Sequence, residues 1–275
     1  MTSATIAIIG GGHMGTSLLA GLIANHYPPK KLWVADPESE KLQRLETEFK
    51  IHTTTENLTA IKSADIIILA VKPQLLANVC AQMQEIIHQQ QPLVISIAAG
   101  VRVESLQKWL GEKTAIVRAM PNTPAMISSG ATALFANRFA SAKHHDLAES
   151  ILRAVGVCVW VDDEKLMDTV TALSGSGPAY FFLMIEALQN AAQDLGLSAE
   201  TARLLTLQTA FGAAKMALES EVDVTELRKR VTSPGGTTEQ AVRVLEEKKI
   251  RDMFQHALLA AKARAEELGD ILDKT

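Results

Sequence analysis

Residues 6–15 read IAIIGGGHMG, a short apolar run that leads into a glycine-rich turn. Gly10, Gly12 and Gly15 fit the spacing G-x-G-x-x-G, which is informative only between a strand and a helix. The apolar run and the helical pattern from Met14 onward supply that context. The first glycine permits the tight turn, the second lets a pyrophosphate approach the backbone, and the third allows close helix–strand packing. The stretch therefore predicts a dinucleotide site at a helix N-terminus, with a purely structural turn as the alternative.

An acidic residue follows the second apolar run. Asp36 comes directly after Lys31–Ala35 and lies 36 − 15 = 21 residues beyond Gly15, where this motif places a carboxylate that binds the adenosine ribose. Such a carboxylate repels a 2′-phosphate, which favours NAD(H). Ser39 and Lys41 lie just beyond and offer groups that hold a phosphate, and the acid also suits a helix start. The predicted cofactor is therefore NADP(H) or NAD(H).

The first half of the chain alternates short apolar runs with amphipathic stretches, which predicts a doubly wound α/β sheet. The predicted strands are 5–9, 31–35, 66–71, 93–97, 115–120, 132–136 and 157–161. The predicted helices among them are 14–25, 39–49, 75–88, 103–110 and 140–155. Later segments have helical periodicity at 179–195, 199–219, 224–231, 238–246 and 250–268. We therefore predict a Rossmann NAD(P)-binding domain at 1–162, followed by an all-helical domain at 163–275 for dimerisation and substrate binding.

Composition narrows the class of protein. The chain has 275 residues, of which 47% are hydrophobic and 21% charged, as in folded globular proteins. The net charge of 27 − 31 = −4 argues against a nucleic-acid partner, because binding a phosphate backbone needs positive charge. The two cysteines have no metal-site spacing and are expected to be reduced thiols. The sequence has no basic leader and no apolar run near the roughly 20 residues of a membrane span, so we expect a cytoplasmic protein without a membrane partner.

Further loops follow predicted strands, at the sheet edge where ligands bind in this class of fold. Residues 70–73 read AVKP after one strand, and Asn122 lies in a loop fixed by two prolines after another. A solvated lysine and a rigid turn are the alternatives there. Asn57 either caps a helix or faces the adenosine.

Two helix starts in the second half are rich in small residues. Residues 174–178 read SGSGP and residues 233–238 read SPGGTT. A proline at the first helical position with free N–H groups before it favours an anion or amide site in the first loop. Successive glycine N–H groups in the second form a nest that suits a carboxylate, with a helix cap as the alternative role of Thr238.

These motifs resemble the pyrroline-5-carboxylate reductase family, and the resemblance runs nearly end to end. It rests on IGGGHMG at 9–15, AVKP at 70–73, MPNTP at 120–124, SGSGPAY at 174–180 and the stretch 231–246, where VTSPGGTTEQAV looks like the family signature. The resemblance implies hydride transfer from NADPH or NADH to the cyclic imine 1-pyrroline-5-carboxylate, which gives L-proline in the last step of proline biosynthesis.

The resemblance also implies a role for individual residues. Thr238 hydrogen-bonds near the ring nitrogen of the substrate, and Glu221 stands at the position of a nearby acid, with a surface helix end as its alternative. No metal is predicted, because a protonated C=N bond is already electrophilic and needs mainly positioning. The predicted cofactor-binding residues are Gly10, Gly12, His13, Met14, Gly15, Asp36, Asn57, Ala70, Val71, Lys72, Pro73 and Asn122. The predicted substrate-binding residues are Ser176, Ser233, Gly235, Gly236, Thr237 and Thr238.

Two other functions compete with imine reduction. A 3-hydroxyacid dehydrogenase would show a helical lysine with an asparagine four residues on, but no lysine here has one; Lys215, for example, is followed by Glu219. A non-enzymatic module that senses NADP(H) would not require the two helix-start loops of the second half.

The sequence of the helical half also predicts that the protein forms oligomers. Residues 179–185 read AYFFLMI, so apolar side chains cover every face of this helix and must be buried on all sides. A second copy of the chain completes that burial, most simply in a two-fold dimer or a multiple of dimers. The core of a monomer is the alternative. The resemblance implies that the two helical domains interlock, so that each substrate loop is completed by its neighbour.

Overall fold

A computed structural model describes residues 4–274 of the chain. Its strands are β1 (Ile6–Ile9), β2 (Leu32–Ala35), β3 (His52–Thr54), β4 (Ile66–Leu69), β5 (Leu93–Ser96), β6 (Ile116–Met120), β7 (Gly130–Ala136) and β8 (Gly156–Trp160). They form one eight-stranded sheet in the order β3-β2-β1-β4-β5-β6-β7-β8. All neighbours pair in parallel except β6 and β7, which are antiparallel.

Helices cover the sheet and make up most of the second half of the chain. They are α1 (His13–Ala24), α2 (Ser39–Phe49), α3 (Asn57–Ile61), α4 (Pro73–Gln90), α5 (Val103–Leu110), α6 (Ala142–Leu152), α7 (Leu166–Val170), α8 (Gly177–Asp194), α9 (Ala199–Glu219), α10 (Val224–Arg230), α11 (Thr237–Glu247) and α12 (Ile250–Leu272). The predicted Rossmann sheet followed by helices is thus confirmed. Within residues 4–274, no helix combines the length and the apolarity that crossing a membrane requires.

The sheet is buried on both faces, which explains its unbroken apolar runs. In β1, Ile6 and Ile8 belong to one hydrophobic core, and Ala7 and Ile9 belong to the core on the opposite face. All four are completely buried. Burying one such isoleucine contributes roughly 1.5–3 kcal/mol, so β1 is a firm support for the turn that follows it.

The chain divides into two compact units. Within the described residues, the first contains 4–176 together with 261–274, and the second is Gly177–Ala260. Residues just after β8 belong to the first unit because Glu164 accepts hydrogen bonds from the Val103 N–H and the Arg118 guanidinium, both at 2.8 Å.

The end of α12 is part of the core of the first unit. Leu272 is buried in the same core as β4 and α4, and a Cβ on Gly100 would lie 3.3 Å from the Leu272 Cδ1 atom. The Arg102 guanidinium pairs with Asp270 at 2.7 Å and also with Asp273. Sheet and C-terminal helix are therefore joined by both apolar packing and ion pairs.

The second unit is helical throughout and leaves large apolar side chains exposed. Only Gly177 of α8 is buried, whereas Phe181, Phe182 and Leu183 are 62%, 64% and 65% exposed. Three large apolar side chains in succession on a single chain are typical of a surface that another chain covers.

Both cysteines are free thiols. Cys80 is a residue of α4 and is buried in the core, and Cys158 is half-buried on β8. Burial raises the pKa of Cys80 to about 12 and that of Cys158 to about 11. Because the thiolate is the reactive form, the raised pKa disfavours reaction of either cysteine at neutral pH.

Candidate active site

The glycine turn after β1 is built from backbone contacts that exclude side chains. Gly10 has a φ of +107°, and a Cβ there would lie 2.6 Å from the Ala70 carbonyl oxygen at the end of β4. A Cβ on Gly15 would lie 2.3 Å from the Gly10 carbonyl oxygen. Both glycines therefore serve the packing of β1, β4 and α1.

Gly12 is different, because a Cβ there would meet no atom within 4 Å. Gly12 is the N-cap residue of α1 and no side chain caps this helix end, so the first N–H groups of the helix are directed at open space. A cavity of about 550 Å³ lies here, and its lining includes Gly12, His13, Lys41 and Arg44. An uncapped helix N-terminus with two cations beside it fits the pyrophosphate and adenosine ribose of a dinucleotide.

Asp36 lies beside the turn, but its carboxylate is already occupied. It is 6% exposed. One oxygen accepts from the Gly11 N–H at 2.8 Å and the other from the Glu38 N–H at 3.0 Å. The Lys41 ammonium lies 3.1 Å from both oxygens. Asp36 thus holds the glycine turn in place, and its charge is balanced by Lys41.

The Lys41 ammonium stays protonated in this position. Burial by itself lowers its pKa, but hydrogen bonds to Asp36 and Glu38 outweigh burial and hold the pKa above the ordinary value. The wall of the cavity therefore carries a permanent cation at Lys41, one of the two residues that the sequence offered as phosphate-holding groups beside Asp36.

The other predicted cofactor residues differ in their surroundings. Lys72 is exposed at the N-cap of α4, and Pro73 is the first residue of that helix, so both lie at the carboxyl edge of the sheet. Met14, Ala70 and Val71 are partly buried against the cores. Asn57 is the first residue of α3, whose N-cap is Glu56, so Asn57 does not cap that helix.

The loop after β6 is joined to the segment before α8. Asn122 donates from its amide nitrogen to the Ser174 carbonyl at 3.1 Å, and its amide oxygen accepts from the Ala131 N–H at 2.9 Å. Ser174 belongs to a π-helical turn, Thr171–Gly175. Ser176 follows this turn and donates from its N–H to the Thr171 carbonyl at 2.8 Å.

The glycine-rich loop of the second unit directs a backbone donor at a carboxylate. Gly235 has a φ of +72°, and its N–H donates to the Glu239 carboxylate at 2.8 Å. Gly236 is the N-cap of α11, and no side chain caps that helix end. The N–H groups of Thr237 and Thr238, the first two residues of α11, are therefore available to an anion.

Several residues at the glycine turn and its cavity were not predicted from sequence, among them Gly11 and Arg44. Gly11 donates the N–H that fixes Asp36, and Arg44 lines the cavity. The signal for Arg44 was its spacing, because residues 41 and 44 are three apart on α2 and share one face of the helix. No signal in the sequence distinguishes Gly11 from its neighbours.

The Rossmann sheet, the open glycine turn and the helical second half together define an NAD(P)-dependent oxidoreductase with a separate helical domain. Comparison with known proteins narrows this class. Residues 164–268 match the family described as pyrroline-5-carboxylate reductase dimerisation, and residues 5–100 match the family described as coenzyme F420-dependent NADP oxidoreductase. The chain belongs to the pyrroline-5-carboxylate reductase family, and it is an oxidoreductase of proline biosynthesis.

Individual relatives support this assignment over the full length. The pyrroline-5-carboxylate reductase of Pseudomonas aeruginosa is 46% identical over 272 residues, which cover 99% of each chain. The structure of a pyrroline-5-carboxylate reductase from Coxiella burnetii is 49% identical, has a TM-score of 0.95, and matches 97% of this chain and 99% of its own. A Plasmodium falciparum pyrroline carboxylate reductase with NADP bound is 28% identical, with a TM-score of 0.86 over 98% of this chain and 99% of its own.

Proposed function

We propose that this chain reduces 1-pyrroline-5-carboxylate with a dinucleotide bound at the glycine turn, and that residues 233–238 form a loop that binds the substrate. The hydrogen bond from the Gly235 N–H to the Glu239 carboxylate carries the second half of the proposal. It supports a loop whose backbone donors select a carboxylate. The dinucleotide, when bound, supplies a hydride from its nicotinamide ring.

The residues of the chain have a positioning task in this reaction. The protonated C=N bond needs no further activation, so holding the imine carboxylate and ring nitrogen in place accounts for much of the rate. The N–H groups at the start of α11 hold the carboxylate, and Ser233, Gly235, Gly236 and Thr237 form the surrounding loop. Thr238 stands at the second position of α11, and its hydroxyl oxygen accepts a hydrogen bond from the protonated ring nitrogen.

Replacing Thr238 with alanine is expected to lower kcat/KM for 1-pyrroline-5-carboxylate about 10- to 100-fold, because a hydrogen bond to a charged group contributes roughly 1.5–3 kcal/mol. Thr238→Ser keeps the hydroxyl and should retain most of the activity. Thr225 is the matched control, because it stands at the second position of α10 without a glycine loop before it. Initial rates for the three variants test the role, and an unchanged kcat/KM in Thr238→Ala removes Thr238 from the site.

The activity itself separates this proposal from its competitors. Oxidation of NADPH or NADH should begin only when 1-pyrroline-5-carboxylate is added, and L-proline should accumulate in equal amount. A 3-hydroxy acid with NAD(P)+ should give no reaction. Binding of NADPH without turnover of the imine would instead favour a sensing module.

We infer that NADPH is the preferred cofactor. The Asp36 carboxylate is engaged by the Gly11 and Glu38 N–H groups and balanced by Lys41, which removes the repulsion that a free acid would exert on a 2′-phosphate. Lys41 and Arg44 supply two cations to the cavity wall. Charge-assisted hydrogen bonds from such cations to phosphate are among the stronger polar contacts in proteins.

Lys41→Met is expected to lower kcat/KM for NADPH about 10- to 100-fold and to leave the value for NADH unchanged or raised, because it removes the phosphate ligand and frees Asp36 for a ribose hydroxyl. The readout is the ratio of the two kcat/KM values. Lys62→Met is the control, since Lys62 is exposed and lies outside the cavity lining. Equal losses with both cofactors would contradict the assignment.

The functional domains are proposed as 1–162 for the cofactor and 163–275 for dimerisation and substrate binding. The family match at 164–268 supports that division, although Glu164 and α7 pack with the first unit. The working form is proposed to be a cytoplasmic homodimer or a multiple of dimers, which needs neither nucleic acid nor membrane. The exposed apolar side chains of α8 support the dimer.

A further inference from the structure

One side chain ties three separate segments of the first unit together. Asn122 follows β6, accepts from the Ala131 N–H in β7, and donates to the Ser174 carbonyl, which is 52 residues further along the chain. Its amide therefore connects the carboxyl end of β6 to the turn that leads into α8.

The Ser174 carbonyl needs such a donor for a reason that is visible in the sequence. In an α-helical turn this carbonyl would accept from the N–H of residue 178, but residue 178 is proline and has no N–H. The segment Thr171–Gly175 instead forms a π-helical turn, a rare geometry that is frequent at functional sites. The Asn122 amide supplies the hydrogen bond that Pro178 cannot make.

A second contact holds the same turn. Gly175 lies so close to β6 that a Cβ there would stand 2.5 Å from the Met120 Cε atom, and Met120 is the last residue of β6. The turn is thus fixed at two adjacent residues, and both contacts reach the carboxyl end of the same strand. Ligands of a Rossmann sheet bind at this edge.

We propose that Asn122 is a positioning residue, which fixes the π-helical turn Thr171–Gly175 against β6 and so places Ser176, the next residue, for the substrate. The inference rests on the proposed function, because it assigns the substrate side of that site. Asn122 acts through the turn and not through contact with the dinucleotide. Its amide nitrogen and oxygen both face main-chain partners, which differs from the direct cofactor contact predicted from sequence.

Asn122→Asp is the sharpest variant, because it keeps the acceptor for Ala131 and replaces the donor to Ser174 with an acceptor. A displacement of about 1 Å at a reacting centre costs on the order of 100-fold in rate. We expect kcat/KM for 1-pyrroline-5-carboxylate to fall by about that factor, whereas the Kd for NADPH, measured by fluorescence titration, should change less than about threefold. If the aspartate variant does not fold, Asn122→Ala, which adds no charge, should show the same fall in kcat/KM with a nearly unchanged Kd for NADPH.

Asn137→Asp is the matched control at the opposite end of β6. The Asn137 amide donates to the Thr114 carbonyl at 2.8 Å and accepts from the Ile116 N–H at 3.1 Å, so the substitution removes the same kind of bond. We expect a lower Tm with kcat/KM changed less than about twofold, because this bond supports the fold and not the edge at which ligands bind.

Amide hydrogen exchange provides a readout that is independent of turnover. In Asn122→Asp the peptide covering residues 171–178 should exchange faster, whereas the peptide covering the glycine turn should be unchanged. An NADPH Kd that rises as much as kcat/KM falls would overturn the inference in favour of a cofactor ligand. Unchanged kcat/KM and unchanged exchange would overturn it outright. Failure of the proposed function is separate, since the wild-type chain would then not oxidise NADPH with 1-pyrroline-5-carboxylate.

Discussion

Replacing Gly12 with valine is expected to weaken NADPH binding by more than about 100-fold while the protein remains folded. A 100-fold loss corresponds to about 2.7 kcal/mol. Gly12 has φ −71° and ψ −178°, which any residue adopts, and its Cβ position is open. The new side chain therefore costs the fold only the N-cap preference of the helix, about 1 kcal/mol, yet it fills the space through which the pyrophosphate approaches the backbone.

Gly15→Ala is the control, because it is expected to lower the stability of the fold, which Gly12→Val largely preserves. Its Cβ would lie 2.3 Å from the Gly10 carbonyl oxygen, and backbone cannot move aside as a flexible side chain can. That variant should lose stability as well as cofactor. Fluorescence titration with NADPH and thermal unfolding of both variants test the comparison. If the Gly12→Val variant binds NADPH with a Kd within about threefold of the wild-type value, the open turn is not the phosphate site.

A double substitution, Phe182→Glu with Leu183→Glu, is expected to convert the proposed dimer into monomers and to abolish reductase activity. Both side chains are nearly two-thirds exposed on a single chain, so the charges cost little in the fold of one subunit. In an interface the same charges would be buried without partners, at a cost of several kcal/mol each. Sedimentation velocity at micromolar concentration should show a species of 29.7 kDa in place of one of twice that mass.

Gln193→Glu provides the comparison on the same helix, because it adds a negative charge at an exposed polar position. It should leave both the sedimentation coefficient and the activity unchanged. A wild-type chain that sediments as a single 29.7 kDa species with full activity would refute the dimer, whatever the variants show.

The elements that depend on local pattern were predictable from the sequence. The strands β1, β4 and β5 are buried on both faces. Their unbroken apolar sequences predict this burial. Strand β3 was missed, because His52, Thr53 and Thr54 include no apolar residue and lie at the sheet edge. The π-helical turn was missed: Pro178 indicates only that the Ser174 carbonyl lacks its α-helical donor, whereas the Asn122 amide that donates to this carbonyl lies 52 residues away in sequence.

The candidate site divides in the same way. The positions of Gly10, Gly12 and Gly15 in the turn could be predicted, because the spacing of the motif reflects a backbone requirement for glycine at each position. The state of Asp36 could not, since the sequence gives the distance of Lys41 along the chain but not the 3.1 Å separation that neutralises the acid. Asn122 was placed correctly at the edge of the sheet, but its partners are 9 and 52 residues away in sequence and no local pattern identifies them.

The docking of α12 against the sheet has a consequence during translation. Arg102 and Asp273 are 171 residues apart, and domains generally fold as their residues emerge from the ribosome. All eight strands leave the ribosome well before Leu272, so the core beside Gly100 stays open while the whole second unit is synthesised. Contacts of such long sequence separation slow folding. The apolar surface of the first unit that Leu272 covers in the folded protein therefore stays exposed to solvent until the end of α12 has been synthesised.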